Sequence, residues 1–222
     1  MLSHSPRIAT DGLVLCLDAG NVRSYPGSGS TWYDLSGNNR NATFTSTPTF
    51  NTNCFSITDN TTYATTSVTP VTLNIYDASY TCEAVASFSN VSGDNMIFGN
   101  PSQGVRAGWH LGTRNTSFYF GHYGSDTSAG TASINTIYHM VWTFLKGESS
   151  NLAKIWVNGT SINSGSNIGS YIATNNIMIG SGFETSNTRF GGNLYGARIY
   201  NRVLENYEIK QNYLATKGRF NL

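Results

Sequence analysis

Short apolar or alternating segments, separated by clusters of Gly, Asn, Ser and Pro, recur along almost the whole chain. This pattern is typical of successive antiparallel strands, because side chains along a strand alternate between the two faces of a sheet. The sequence therefore predicts an all-β fold. Eight segments show the pattern most clearly: GLVLCLD from Gly12, YTCEAVASF from Tyr80, GWHLGTR from Gly108, TSFYFG from Thr116, YHMVWTFLK from Tyr138, AKIWVNG from Ala153, NIMIGS from Asn176 and NLYGARIYN from Asn193.

Two of these segments have a clear core face, and one is part of a hairpin. In AKIWVNGTSI, the Asn158-Gly159 pair supplies the two residues with positive φ that a type I′ turn requires. The core faces are predicted to comprise Tyr80, Cys82, Ala84, Ala86 and Phe88 in the first segment and Tyr138, Met140, Trp142 and Phe144 in the second.

One helix is predicted near the end of the chain, over residues 205–216. In the segment ENYEIKQNYLATKG, Tyr207 and Leu214, with Ile209 or Gln211, are expected to share the apolar face. Gly218 is expected to end the helix, since glycine commonly follows the last helical turn. We expect this helix to cover one end of the sandwich.

Composition narrows the classes of partner. Charged residues make up 11% of the chain and the formal net charge is +1, so no basic surface for nucleic acid or for an anionic membrane is predicted. The first residues, MLSHSPRIATDG, include no apolar run, so we expect no signal peptide and synthesis that ends in a cytosol. The three cysteines have no CxxC spacing and are predicted to be buried free thiols.

The order of these segments resembles the laminin G-like, concanavalin A-like jelly rolls found in phage and other environmental sequences. The resemblance rests on GLVLCLDAGNVRSYPGSGSTWYDLSGNNRNATF at the front, YTCEAVASF, YHMVWTFLKGESSNLAKIWVNGTSI and NNIMIGSGF in the middle, and GGNLYGARIYNRVLENYEIKQNYLATKGRF at the back. Glu205 departs from the family, which has Ser or Thr as the helix cap before the Glu that Glu208 represents here.

The resemblance implies a two-sheet antiparallel jelly-roll sandwich with one short C-terminal helix, forming a single domain over 1–222 with an N-terminal arm at 1–11. It also implies a virion structural protein, most simply a capsid decoration or other particle-surface module. Its partners would then be other capsid or tail subunits, in a homo-oligomer or a larger assembly on the virion surface put together in the host cytoplasm. The alternative is a carbohydrate-binding adhesin of a tail or fibre, with or without Ca²⁺.

The sequence predicts no catalytic site. Glycanases with this fold that retain the anomeric configuration place Glu-x-Asp-x-Glu on one strand, and no such triplet occurs here. The four histidines show no HExxH or i, i+4 pairing, and no phosphate-binding or nucleophile-elbow motif is present. We therefore expect the protein not to be an enzyme.

Calcium is the cofactor to consider, because members of this family often bind it through loop oxygens. Asp and Asn side chains supply such ligands, but they also form Asx turns that merely hold loops in shape. Both alternatives apply to Asp18 and Asn21 in LDAGN and to Asp34 and Asn38 in WYDLSGNN.

Sugar binding would need an exposed aromatic ring beside polar groups. Trp109, which lies near Arg106 and Arg114 in the sequence, is the candidate for this role, and burial in the core is the alternative. Trp142 and Trp156 are predicted to lie in the core, and Trp32 beneath its loop.

Overall fold

A computed structural model describes residues 7–58, 61–163, 165–183, 186–220 and 222. Its strands form two antiparallel sheets. Sheet A contains β1 (Leu13–Asp18), β4 (Thr49–Asn51), β5 (Cys54–Ile57), β7 (Tyr80–Phe88), β12 (Ile137–Leu145), β13 (Leu152–Val157), β14 (Thr160–Ser161) and β16 (Gly192–Tyr200). Sheet B contains β2 (Thr31–Trp32), β3 (Ala42–Phe44), β6 (Ala64–Thr66), β8 (Asp94–Gly99), β9 (His110–Arg114), β10 (Ser117–Gly121), β11 (Asp126–Ala129) and β15 (Met178–Ile179).

The strand order confirms the two-sheet sandwich. Sheet A runs β14-β13-β12-β7-β16-β5-β4, with β1 also paired to β16, and sheet B runs β11-β10-β9-β8-β15-β6-β3-β2. A single helix, α1 (Asn206–Phe220), follows the last strand. All eight segments predicted from the sequence contain a strand of this structure.

The main apolar core lies between the two sheets. It contains the predicted core face of β7 and, from β12, Met140, Trp142 and Phe144. Trp32 also lies in this core, while Trp156 packs in a smaller cluster on the outer face of sheet A. Cys16, Cys54 and Cys82 are free and buried, as predicted.

The hairpin predicted at Asn158-Gly159 is confirmed. It joins β13 to β14, with φ of 51° at Asn158 and 76° at Gly159. The Asn158 side chain also accepts a hydrogen bond from the backbone N–H of His139 on the neighbouring strand, at 3.0 Å. The turn residue therefore helps to fix the register of β12 and β13.

The helix lies across the outer face of sheet A, so the prediction that it covers one end of the sandwich is wrong. Every residue of β7 is buried, because α1 and the main core cover its two faces. The buried side chains of α1 are largely polar: Glu208, Ile209, Asn212, Thr216 and Phe220. The predicted apolar face is also wrong, since Tyr207 is 69% and Leu214 39% exposed.

The two ends of the helix are fixed by different kinds of contact, a local one at its start and a tertiary one at its end. At its start, the Glu208 carboxylate accepts the backbone N–H of Glu205 at 2.9 Å, which is one half of a capping box. At its end, the helix continues past Gly218 to Phe220, so the predicted stop is wrong. Arg219 binds both carboxylate oxygens of Asp18 at 2.6 and 2.7 Å, and this contact holds the last turn against the sheet.

A buried ion pair lies beneath the helix. Glu83 on β7 and Arg198 on β16 are cross-strand partners, and the guanidinium of Arg198 donates to Glu83 Oε1. The ring Nε2 of His139 lies 3.1 Å from the same oxygen, and Asn212 of α1 donates to Glu83 Oε2 at 2.6 Å. Burial alone would raise the pKa of Glu83, but its contacts with Arg198 first, and then with His139 and Asn212, outweigh burial and lower that pKa to about 2.

The N-terminal arm completes the cover over sheet A. Ala9 is buried, its N–H donates to the Asn212 side chain at 2.7 Å, and its carbonyl accepts the Tyr200 hydroxyl at 3.1 Å. Residues 1–6 of the predicted arm lie outside the described residues. Among the residues that are described, no helix has the length and apolarity needed to cross a membrane.

The ion pair predicts that removing one partner lowers the free energy of unfolding more than removing both. Arg198→Met leaves the Glu83 carboxylate buried without its main partner, so we expect the free energy of unfolding to fall by about 3–5 kcal/mol. The double variant Glu83→Gln, Arg198→Met removes both charges and is expected to be more stable than Arg198→Met alone. Urea denaturation measures both effects, and a double variant less stable than the single one would contradict this account.

Candidate binding pocket on sheet B

The outer face of sheet B carries polar side chains. It is only partly covered, whereas α1 and the N-terminal arm cover the outer face of sheet A. Leu111 on β9 and Phe118 and Phe120 on β10 point into the core. Strand alternation therefore turns the residues between them outward. The outward residues of β8 to β11 include Asp94, His110, Arg114, Tyr119 and Asp126.

Part of this face forms an open pocket of about 360 Å³, which we call the sheet B pocket. Strands β8 and β9 form its floor, and three loops form its walls. Its lining residues are Asp94, Gln103, His110, Arg114, Tyr123, Phe183, Asn187 and Thr188.

Charged and hydroxyl side chains form a hydrogen-bond network across β8, β9 and β10. Arg114 Nε and Nη2 donate to the two oxygens of Asp94 at 2.5 and 2.7 Å, and Nη1 donates to the Tyr119 hydroxyl. The guanidinium also lies over the Tyr119 ring, 4.1 Å from its centroid. Burial, and a hydrogen bond to Asp126, raise the pKa of Tyr119.

The position of Asp126 in this group of polar side chains depends on Gly121, two residues after Tyr119 on β10. Gly121 is the cross-strand partner of Asp126. A Cβ at Gly121 would lie 2.4 Å from the Oδ1 atom of Asp126, closer than such atoms approach, so a larger residue would displace this carboxylate. Gly121 therefore gives Asp126 its place beside Tyr119.

His110 is a buried polar group without a partner. The residue is 3% exposed, and neither ring nitrogen has a hydrogen-bond partner among the described residues. Its ring packs edge-on against Phe183, with centroids 4.4 Å apart. Burial, and next the charge of Arg114, lower the pKa of His110 to about 4, so the ring is neutral at pH 7. A neutral ring can both donate and accept a hydrogen bond.

Tyr123 lies at the rim of the pocket in a strained turn. The backbone N–H of His122 donates to the Ser125 carbonyl at 3.1 Å, and the two residues between them have φ of 45° at Tyr123 and 76° at Gly124. These angles are typical of a type I′ turn, whose first central position favours Asn, Asp or Gly. A tyrosine there costs about 1–2 kcal/mol of backbone strain. Its partly exposed ring lies 5.7 Å from that of His110.

The structure separates the three residues that sequence analysis grouped as sugar ligands. Trp109 is fully buried, stacks on Tyr171 with centroids 4.5 Å apart and donates to the Tyr80 hydroxyl at 2.9 Å. Its ring cannot reach a ligand on the surface, so the prediction of a Trp109 platform is wrong and the alternative of burial is confirmed.

The two arginines differ in their placement. Arg114 lines the sheet B pocket, whereas the Arg106 side chain packs against Gly169, outside it. The backbone N–H of Arg106 donates to the Tyr123 carbonyl at 3.0 Å, so this residue supports the turn at the rim. Sequence analysis missed His110 and Tyr123 as pocket residues, and Asp126 as a carboxylate next to the pocket.

Three of the four calcium candidates, Asp18, Asn21 and Asp34, adopt the geometry of the Asx-turn alternative. Asp34 Oδ1 accepts the backbone N–H groups of Cys16 and Ser36, each at 2.9 Å, and Oδ2 accepts from the Ser36 hydroxyl and from the N–H of Arg40. Asp18 accepts the N–H of Gly20 as well as the guanidinium of Arg219.

The two amide candidates are engaged in different ways. Asn21 accepts the backbone N–H of Arg23 at 3.0 Å, and Asn38 donates to the Ser36 hydroxyl at 2.8 Å. In the part of the chain that the structure describes, no group of three or more His, Cys, Asp or Glu side chains could hold a metal ion. Calcium binding stays a prediction, and any ion would have to displace these donors.

A second polar pocket, of about 440 Å³, lies between the loops at 146–151 and 167–170. Two of its side chains already have partners: Lys146 pairs with Asp77, which does not line the pocket, and Asn151 accepts from the N–H of Gly147 and donates to the Ile168 carbonyl. No aromatic side chain is among the described residues that line it. The sheet B pocket is therefore the better candidate site.

Two buried histidines predict how stability depends on pH. Burial lowers the pKa of both His110 and His122 to about 4. Unfolded histidine titrates near pH 6.5, so the unfolded chain binds more protons between about pH 6.5 and pH 4. The stability is fully present above that window. As the pH falls through it, the free energy of unfolding should decrease by about 1.4 kcal/mol per pH unit for each histidine.

Urea denaturation across this window measures the decrease. The variant His110→Gln is expected to remove the contribution of one histidine and so to make the dependence on pH less steep. A stability that does not change between about pH 6.5 and pH 5 would contradict the burial of these rings as neutral groups.

Substitution of Asp34 tests whether this residue binds calcium or only holds an Asx turn. Asp34→Ala leaves several N–H groups without an acceptor, so we expect it to lower the free energy of unfolding by about 2 kcal/mol. Since its oxygens are already occupied, the melting temperature of the unaltered chain should be the same with excess CaCl₂ and with EDTA. An increase with CaCl₂ that Asp34→Ala abolishes would establish a calcium site.

Three solved structures show the same fold. Trypanosoma rangeli sialidase in complex with sialic acid matches with a TM-score of 0.72 at 17% identity, over 97% of this chain and 36% of that chain. Domain 4 of AbnA, a GH43 extracellular arabinanase from Geobacillus stearothermophilus, in complex with arabinotriose, matches with a TM-score of 0.61 at 13% identity. The match covers 91% of this chain and 98% of that chain. The receptor binding domain of botulinum neurotoxin D matches with a TM-score of 0.65 at 16% identity, over 95% and 53%.

The chain thus spans about a third of the sialidase. At these identities the similarity is one of fold. No curated protein matches the sequence. The family model described as the concanavalin A-like lectin/glucanases superfamily matches residues 58–210, which is more than half of the chain. The protein therefore belongs to the concanavalin A-like lectin/glucanase superfamily.

Proposed function

We propose that this protein is a carbohydrate-binding module, without catalytic activity, that binds glycans in the sheet B pocket. The observation that carries the proposal is the strained turn at Tyr123. Backbone strain persists where the surrounding structure compensates for it, and it clusters at functional sites. Here the strain holds an aromatic ring at the rim of a polar pocket, which is the combination that sugar binding requires.

The groups on the pocket floor suit a sugar. A pyranose offers an apolar face to an aromatic ring and hydroxyl groups that both donate and accept hydrogen bonds. The carboxylate of Asp94 accepts hydrogen bonds, and the amides of Gln103 and Asn187 both donate and accept them.

The solved structures of similar fold agree with this proposal. One is a domain of an arabinanase in complex with arabinotriose, and another is a sialidase in complex with sialic acid. Because the identities are low, these ligands do not transfer to this chain, and they support only the class of ligand proposed.

Binding without hydrolysis follows from the contacts of the two carboxylates. Both oxygens of Asp94 accept from Arg114, and Asp126 bonds to the Tyr119 hydroxyl. Glycoside hydrolysis needs one carboxyl group that donates a proton and a second that attacks or activates water. Asp94 is not free for either role, and Asp126 alone cannot supply both, so we expect no release of reducing sugar.

A position on the surface of a virus particle, bound to capsid or tail subunits, is the second part of this proposal. It rests on the sequence resemblance described above. Immunogold labelling of intact particles tests it: regular labelling of the shell or of the tail tips would support it, and unlabelled particles would contradict it.

Tyr123→Asn should separate stability from binding. Asparagine suits the first central position of a type I′ turn, so the variant should be more stable by about 1 kcal/mol. Loss of the ring should weaken glycan binding at least about tenfold, equivalent to 1.4 kcal/mol. Urea denaturation measures the first effect, and a glycan array followed by isothermal titration calorimetry measures the second.

Tyr207→Asn is the matched control. It makes the same exchange at an exposed position of α1, away from the pocket, and should leave binding unchanged. If Tyr123→Asn bound glycans as tightly as the unaltered protein, or if no glycan bound at all, the proposed function would be wrong.

A further inference from the structure

The charges around the sheet B pocket limit the kind of glycan that it can accept. Among the described residues that line it, Arg114 is the one cation and Asp94 the one carboxylate. Asp126 adds a second carboxylate next to Tyr119, close enough to Arg114 and His110 to affect the pKa of each. With His110 neutral, these described groups sum to one negative charge.

The single arginine has little capacity left for an acidic ligand. Proteins bind carboxylates most specifically through two parallel hydrogen bonds from one guanidinium. In Arg114, Nε and Nη2 already make this pair of bonds to Asp94. The remaining nitrogen, Nη1, donates to the Tyr119 hydroxyl, and the plane of the guanidinium covers the Tyr119 ring.

An acidic sugar would therefore meet repulsion without compensation. To bind Arg114 in the bidentate manner, its carboxylate would have to displace Asp94 and leave that group without its partner. Placed elsewhere in the pocket, it would lie near two like charges, which disfavours binding in a partly buried site. Uncharged hydroxyls meet no such penalty, because carboxylates, amides and a neutral histidine all bond to them.

We infer that the sheet B pocket selects glycans whose terminal residue is an uncharged pyranose and discriminates against those that end in sialic or uronic acid. This inference rests on the proposed function. Asp94 and Asp126 are the residues that determine this specificity, and Arg114 is held in place between Asp94 and Tyr119.

The test compares matched pairs of glycans on an array and then by isothermal titration calorimetry. Each pair is a neutral oligosaccharide, such as lactose, and its sialylated or glucuronylated counterpart. The neutral member should bind at least tenfold more tightly at low salt, and the ratio should fall as salt is added, because salt screens charge repulsion.

A conservative variant assigns the effect to a residue. Asp126→Asn keeps a hydrogen-bond acceptor for Tyr119 but removes one negative charge, so it should reduce the neutral-to-acidic ratio several-fold while neutral glycans still bind. Asp77→Asn is the matched control, since Asp77 is an exposed carboxylate paired with Lys146 outside the pocket. It should leave the ratio unchanged.

The outcomes distinguish this inference from the proposed function. Equal or tighter binding of the acidic glycans, or a ratio that Asp126→Asn leaves unchanged, would overturn the inference and leave glycan binding itself intact. Absence of binding to every glycan of both kinds would overturn the proposed function and the inference with it.

Discussion

The buried contact between Glu83 and Arg198 is the interaction on which the packing of α1 against sheet A depends. It joins β7 to β16 at the centre of sheet A, on the face that points away from the main core. Buried charges need partners and hydrogen bonds, and Asn212 of α1 supplies one of these. The helix is therefore anchored by a polar contact, which explains why its buried face carries so few apolar side chains.

Because the outer face of sheet A is covered, the outer face of sheet B is the one left open to a ligand. With α1 and the N-terminal arm across one outer face, the surface left to bind a ligand is the opposite one, where β8 to β11 present polar groups. Loops cover that face only in part, and the gap between them is the sheet B pocket. The same sandwich thus has one outer face built for cohesion and one on which side chains such as His110 keep unused hydrogen-bonding capacity.

The longer strands and the hairpin at Asn158-Gly159 could be predicted from the sequence, because alternation and turn chemistry are local signals. The short strands β2 to β6 and β11 were missed, since two to four residues carry no clear period, and the six-residue strand β8 was missed as well. The buried face of α1 could not be predicted, because its polar residues face charges that only the folded sheet brings together.

The pocket was predictable in part. Alternation in GWHLGTR and TSFYFG places His110 and Arg114 opposite the core residues, and the pair Tyr123-Gly124 has the spacing of a hairpin turn with an unusual first residue. Both signals were present in the sequence. The positions of Asp126 beside Tyr119 and of Phe183 beside His110 could not be predicted, because they depend on strand register and on a loop distant in the sequence.

The central claim is that glycans bind on the outer face of sheet B. The most direct measurement is a map of chemical-shift changes in the ¹H–¹⁵N spectrum of the labelled protein during titration with a neutral oligosaccharide that it binds. Our account predicts changes concentrated at His110, Arg114 and Tyr123 and their neighbours on β8 to β11. Changes confined to the loops at 146–151 and 167–170, or to the covered face of sheet A, would contradict it.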